Sequence, residues 1–150
     1  FTSEEAWKAM GNKESIHLQD FLQCKNEYED NQLNEKWNLI KNIRKVATWA
    51  IEKIREEKII RSSLEAHLDI FVSKENFDKV NEVMFDEIAI TSSYKLHVFD
   101  ENSQGFSIDE IENVKVQASK VSGQKCQRCW KYEKELVKNE ICNRCNDAIS

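Results

Sequence analysis

Hydrophobic and polar positions change their period several times along this chain, and each change marks a candidate element. Between about Asn34 and Lys58, the residues Trp37, Ile40, Ile43, Ala47, Ile51 and Ile54 recur every three or four positions. That spacing lines one side of an α-helix. Lys41, Arg44, Lys45, Lys53 and Arg55 fall largely outside the stripe. The pattern predicts a helix that belongs to a bundle, with a basic side turned to solvent or to a partner. Ahead of it, Thr2 is placed to cap a short helix while Glu5, three residues on, reaches back to the first turn. Gly11-Asn12 then suits a left-handed helix stop. Ser15 to Leu18 reads as a brief extended or loop stretch.

The period changes at Ser62-Ser63. His67 to Val72 alternates and is rich in β-formers, a strand signal. Phe77, Val80, Val83 and Met84 return to helical spacing through about Phe85. Ile88-Ala89-Ile90 and Tyr94 to Phe99 read as strands, Asn102 to Gly105 as a turn, and Val114 to Ala118 as another strand. These elements predict a small α/β sandwich of three or four strands with one helix across a face. His67 and His97 lie in strands and His17 has no ligand partner nearby in sequence, so all three read as structural. The expected fold class is α+β, divided at residues 1–62, 63–121 and 122–150.

Charge sharpens this division. The net charge is −5, yet residues 1–33 carry a balance of −4 and residues 34–62 one of +4. Residues 63–120 carry −7 and residues 121–150 carry +2. An acidic total therefore does not exclude nucleic acid, because local basic surface decides such binding. An ordinary solvated helix face accounts for the same lysines. No apolar run approaches the roughly 18 residues of a membrane span, and no secretory signal pattern is present. A start at Phe1 in place of Met suggests a fragment or a processed chain.

The strongest chemical signal lies near the end. Cys126-Gln127-Arg128-Cys129 and Cys142-Asn143-Arg144-Cys145 are two Cys-x-x-Cys turns separated by twelve residues. The two-residue gap lets both thiolates of a turn face one ion while backbone amides donate to the sulfurs. Two such turns supply the four tetrahedral sulfur ligands of a structural zinc site. Disulfides fit poorly where nothing marks secretion, and a redox pair fits poorly without a thioredoxin-like setting. Four protein ligands leave no open position for catalysis. Four thiolates and one Zn²⁺ add a charge of about −2, so the knuckle is not a basic finger. Contact with nucleic acid would rest on Arg128, Lys131, Arg144 and the ring of Trp130. Trp130 is placed either to stack on a base or to cover the metal as the knuckle's large hydrophobe; packing favours the cover. Cys24 stands apart as a free thiol. No phosphate-cradling glycine loop and no nucleophile or zinc-protease motif occurs, so no residue is assigned a catalytic role.

Several of these stretches together resemble one family. Cys126-x-x-Cys129-Trp130 with Glu140-Ile141-Cys142-x-x-Cys145 is similar to the terminal zinc knuckle of bacterial-type isoleucyl-tRNA synthetases. Phe1 to Trp7, Ser15 to Leu18 with Asp20, Trp37 at the head of the long helix, and Ser62-Ser63-Leu64-Glu65-Ala66 resemble successive parts of the same region. The middle residues 74–113 match only loosely, and the Ser-Ser link lacks an expected neighbouring glycine. The resemblance implies the end of a helical anticodon-binding domain (1–62), a small α/β domain (63–121) and a zinc-binding knuckle (122–150). It implies tRNA-Ile and the rest of the parent synthetase as partners, in a monomeric cytoplasmic protein. Lys41, Arg44, Lys45, Lys53 and Arg55 would contact phosphates, with Arg128, Trp130 and Arg144 near the anticodon. ATP and Mg²⁺ would serve only the absent catalytic domain, whose His-x-Gly-His and Lys-Met-Ser-Lys-Ser motifs do not occur here.

Two other readings compete. A DNA glycosylase of the formamidopyrimidine type has a similar terminal finger but needs an N-terminal Pro nucleophile, and this chain has no Pro. A zinc-stabilised protein-interaction module without a nucleic-acid role is the alternative from a different class.

Overall fold

The computed structural model describes residues 1–100, 103–137 and 140–149. Asn102 of the predicted turn lies outside them. The chain divides into two units, Phe1–Asn31 and Gln32–Ser150.

In the first unit, α1 spans Thr2–Ala9. Phe1, not Thr2, occupies the cap position, and no side chain caps the helix. The expected reciprocal Thr2–Glu5 cap is therefore absent. Glu4 instead accepts hydrogen bonds from Ser15 Oγ at 3.0 Å and the Ile16 N–H at 3.1 Å. Those bonds, with Lys8 nearby, lower its carboxyl pKa. The predicted stop forms as expected: Gly11 sits at φ +87°. Its N–H donates to Lys8 O and the Asn12 N–H to Trp7 O, the paired closing bonds of a left-handed helix end. Ile16–Leu18 forms a single 3-10 turn, capped by Ser15.

α2 spans Asn31–Glu56 and, from Gln32 on, belongs to the second unit. Ile40, Ile43, Val46, Ala47, Ala50 and Ile51 are its buried residues. Ile54 is partly buried against them, while Trp37 is 44% exposed and lies off the buried stripe. The helix ends without a glycine: Lys58 takes φ +60°, and Lys58 and Ile59 donate back to Arg55 O and Ile54 O.

The stripe of α2 shares one hydrophobic core with a three-stranded sheet. Its strands are β1, Ala66–Val72, β2, Ser93–Val98, and β3, Val114–Lys120, in the order β2-β1-β3. β1 and β2 are parallel, with His67 opposite Ser93 and Phe71 opposite His97. β1 and β3 are antiparallel, with Phe71 opposite Lys115. The parallel pair needs a crossover, and two short helices supply it: α3, Lys74–Val80, capped by Ser73, and α4, Phe85–Ile88. The single helix expected through Phe85 is thus two. The expected strand at Ile88–Ile90 is not one; Ile88 ends α4 and Ile90 turns the chain at φ +56°. Alternation then decides the faces of the sheet. Ala66, Leu68, Ile70 and Val72 point into the core and are fully buried, while His67, Asp69 and Phe71 occupy the other face.

The last segment is a small ribbon of β4, Gln124–Lys125, and β5, Tyr132–Glu133, followed by α5, Asn143–Asp147. Gly123 permits this ribbon. It sits at φ +136°, and a Cβ there would lie 2.5 Å from Glu133 O.

Leu68 is fully buried in the centre of the sheet. Leu68→Ala is expected to cost about 3 kcal/mol of stability, read from the urea midpoint with the slope unchanged. A loss below about 1 kcal/mol would mean that the core collapses around the missing atoms.

A four-cysteine metal centre and its basic surroundings

The ribbon and α5 bring the two Cys-x-x-Cys turns together. The four sulfurs of Cys126, Cys129, Cys142 and Cys145 lie within 4.8 Å of one another, and none forms a disulfide. Cys129 and Cys142 sulfurs are 3.7 Å apart. A tetrahedron with zinc–sulfur bonds of about 2.3 Å has edges of about 3.8 Å, so the spacing suits one ion. Cys126, Cys142 and Cys145 are buried. Backbone amides aim at the sulfurs as the short turns require: the Cys142 N–H donates to Cys126 Sγ at 3.3 Å.

Protonation chemistry points the same way. Burial pushes the Cys129 thiol up to about 12 and raises Cys142. Burial also opposes ionisation of Cys126, but backbone N–H groups of Cys129, Cys142 and Arg128 outweigh it and bring that thiol down to about 6. Sulfurs gathered so closely need a cation before all four can be thiolates. The donor set therefore fits a structural zinc with a closed sphere.

Trp130 does not cover this site. Its ring is 58% exposed, and Leu136 and Ile141 pack with the cysteines instead. Its backbone takes φ +68°, with its N–H bonded to Cys126 O as the first turn closes. The Lys125 ammonium lies 4.6 Å from the ring centroid, a cation–π contact that sequence reasoning did not single out.

The knuckle is tied to the sheet unit by a half-buried ion pair. Lys131 Nζ meets Asp86 of α4 at 2.6 Å, with 16% and 15% of the two side chains exposed. The Tyr132 N–H donates to Ser92 Oγ at 2.6 Å, and Ser92 Oγ donates to Leu64 O. Arg144 bonds Glu87 at 2.7 Å. Lys131 and Arg144 are thus engaged within the chain.

The cations of α2 divide likewise. Arg44 Nε donates to Ile88 O at 3.1 Å, Lys45 faces Glu110 at 3.4 Å, and Arg55 is paired with Glu52 at 2.7 Å. Lys41, Lys53 and Arg128 are exposed, and no ion pair engages them among the described residues. Trp37, Lys41, Lys45 and Trp49 follow one another at intervals of four, which places them along one ridge of the helix. Trp49 is 57% exposed. The interval of four is present in the sequence, but the three-and-four spacing that begins at Trp37 assigns that residue to the buried stripe and leaves Trp49 outside it.

Removing zinc is expected to unfold residues 122–150 while α2 stays formed, because the knuckle's own core holds little besides cysteine, Leu136 and Ile141. Circular dichroism before and after chelation checks this; loss of the whole helical signal would refute the local boundary. Zinc affinity is expected to fall as pH falls, since protons compete for the same thiolates. A chromophoric chelator competition at two pH values measures it.

Comparison with known proteins adds lineage to this geometry. The family described as the anticodon-binding domain of tRNA ligase matches residues 1–70, and the zinc finger found in FPG and IleRS matches residues 123–148. The isoleucine–tRNA ligase of Natranaerobius thermophilus is 33% identical over 99% of this chain and 17% of its own length. That of Caldanaerobacter subterraneus is 35% identical with the same two shares, and that of Bartonella henselae is 36% identical over 91% of this chain and 14% of its own. The chain therefore spans about a sixth of these relatives' length. Across nearly all its residues it is a homologue of the C-terminal part of the isoleucine–tRNA ligases, joining the end of their anticodon-binding domain to their zinc finger.

Proposed function

We propose that this region binds the anticodon stem-loop of tRNA-Ile, so that a parent ligase can charge that tRNA with isoleucine. The observation that carries the reading is the exposed ridge of α2, where Lys41 has no ion-pair partner among the described residues and lies inside the segment matched by the anticodon-binding family. Lys41 and Lys53 would meet phosphates directly, and Lys45 on leaving Glu110, releasing counterions from the RNA. Arg44 and Arg55 would act through the internal bonds they already make. In the knuckle, Arg128 and the exposed ring of Trp130 would approach the loop, with Trp130 stacking on an unpaired base. Zinc would hold both in place and take no part in chemistry. Residues 1–62, 63–121 and 122–150 would act as the three functional divisions, in a monomeric, cytoplasmic protein. Activation of isoleucine with ATP and Mg²⁺ requires motifs that this sequence does not contain.

The internal pairing of Arg44, Lys45, Arg55 and Arg144 favours the second reading, a zinc-stabilised protein-interaction module. Binding to an RNA hairpin separates the two. Affinity is expected to fall steeply with salt, and Lys41→Glu is expected to reduce the logarithmic salt slope by about one. An affinity indifferent to salt, or no binding, leaves the interaction module. The chain alone is expected to give no isoleucine-dependent pyrophosphate exchange; detectable exchange would contradict a non-catalytic role.

A further inference from the structure

The face of the sheet turned away from α2 has its own chemistry. Residues 63–120 carry a balance of −7, yet on this face the strands carry Lys95 and Lys115 against Asp69 alone; Lys120 stands opposite Ala66, on the other side. The remaining described acids of this segment sit on α3, α4, the 3-10 turn at Glu65 or the loops. Asp69 is itself engaged. His97 Nε2 lies 2.7 Å from one of its oxygens and His67 Nε2 3.5 Å from the other. His67 Nδ1 is in turn 2.8 Å from Ser93 Oγ.

Beside this polar chain, the rings of Phe71 and His97 stack across the parallel pair, with centroids 4.9 Å apart and planes 17° from parallel. Lys115 lies 4.8 Å from the Phe99 ring. Lys95, opposite Asp69 in register, is exposed and has no ion-pair partner among the described residues. Towards the knuckle the same face opens into a groove of about 680 Å³, bordered by His67, Ser93 and Lys120 on the sheet and by Tyr132 and Lys134 beyond it. Glu133 and Glu135 also border it.

The geometry points to this open sheet face and its groove as a binding surface for unpaired RNA nucleotides. Stacked rings and hydrogen-bonding side chains on a sheet suit splayed bases, whereas an intact duplex hides its base faces. Lys95 suits an accompanying phosphate, while Lys115 donates to Ser103 O at 3.2 Å and holds the Phe99 ring in place. The groove has the scale of a small-ligand site, and Asp69, held by two histidines, leaves the face without an unengaged carboxylate in its strands. The inference rests on the RNA-binding reading and adds a surface to it: the helix would grip paired phosphates while the sheet takes loop nucleotides. The occupant is RNA, chosen over a protein segment because this face joins stacked rings to two lysines while its one carboxylate, Asp69, is taken up by histidines.

Fluorescence anisotropy tests this on the full chain loaded with zinc, using an RNA hairpin with an unpaired loop and the blunt duplex of its stem. Lys95→Glu changes an exposed side chain, and His97→Ala removes half of the ring stack. Each is expected to weaken hairpin binding roughly tenfold while duplex binding changes far less. If His97→Ala fails to fold, Lys95→Glu decides. Unchanged hairpin affinity in Lys95→Glu, with Lys41→Glu still weakening it, would overturn the sheet surface and leave the general reading standing. An equal loss for hairpin and duplex would also overturn it, as would preferential binding of an acidic peptide. Failure of the wild-type chain to bind the hairpin would remove both.

Discussion

Four thiolates held around one point are the constraint on which the end of this chain depends. Like charges so close together, three of them buried, repel unless a cation sits among them. The segment's apolar cluster is too small to hold the turns by itself, as is usual for very small domains. With the metal geometry satisfied, the ribbon can present Lys131 and Tyr132 to the sheet unit. Asp86 and Ser92, which receive them, lie at the end of the crossover between β1 and β2. The metal therefore fixes the knuckle internally, and the half-buried Lys131–Asp86 pair fixes where it docks.

The same crossover explains why counting positive residues overstates the basic surface. α4 and the turns after it offer acids and carbonyls that take up several cations predicted for RNA. Arg44 reaches Ile88 O, and Arg144 reaches Glu87. Such exposed pairs contribute little to stability, but they orient side chains and lower the charge available to a polyanion. What stays available is narrower: Lys41, Lys53 and Arg128, the Trp130 ring and Lys95 of the open sheet face. On the proposed RNA-binding reading, recognition would depend on placement more than on net charge, which suits a chain that is acidic overall.

Much of this was legible in the sequence where one physical rule dominates. The Cys-x-x-Cys spacings singled out the four cysteines that the fold gathers. The stripe from Trp37 to Ile54 marked the long helix, although Trp37 itself lies off the buried side. Runs rich in β-formers marked all three strands of the larger sheet. The misses occur where backbone conformation is not announced by residue type. Ile90 takes a left-handed conformation usually reserved for glycine, so the turn after α4 was not marked. The end of α2, by contrast, falls within two residues of the expected Lys58, although that residue is no glycine. Phe1 took the helix cap position from Thr2, and no side chain, the expected Glu5 included, caps the first turn. Trp130 could cover the metal or face outward by its position alone; Leu136 and Ile141, weak signals in a polar stretch, filled the place beside the cysteines.

The central claim is that zinc positions an RNA-contacting surface without taking part in chemistry. Its most direct test compares hairpin affinity of the same chain with and without zinc at fixed salt. The account predicts roughly tenfold weaker binding after chelation, restored by adding zinc back, with helical content largely retained. Affinity that is unchanged when the metal is gone would contradict it.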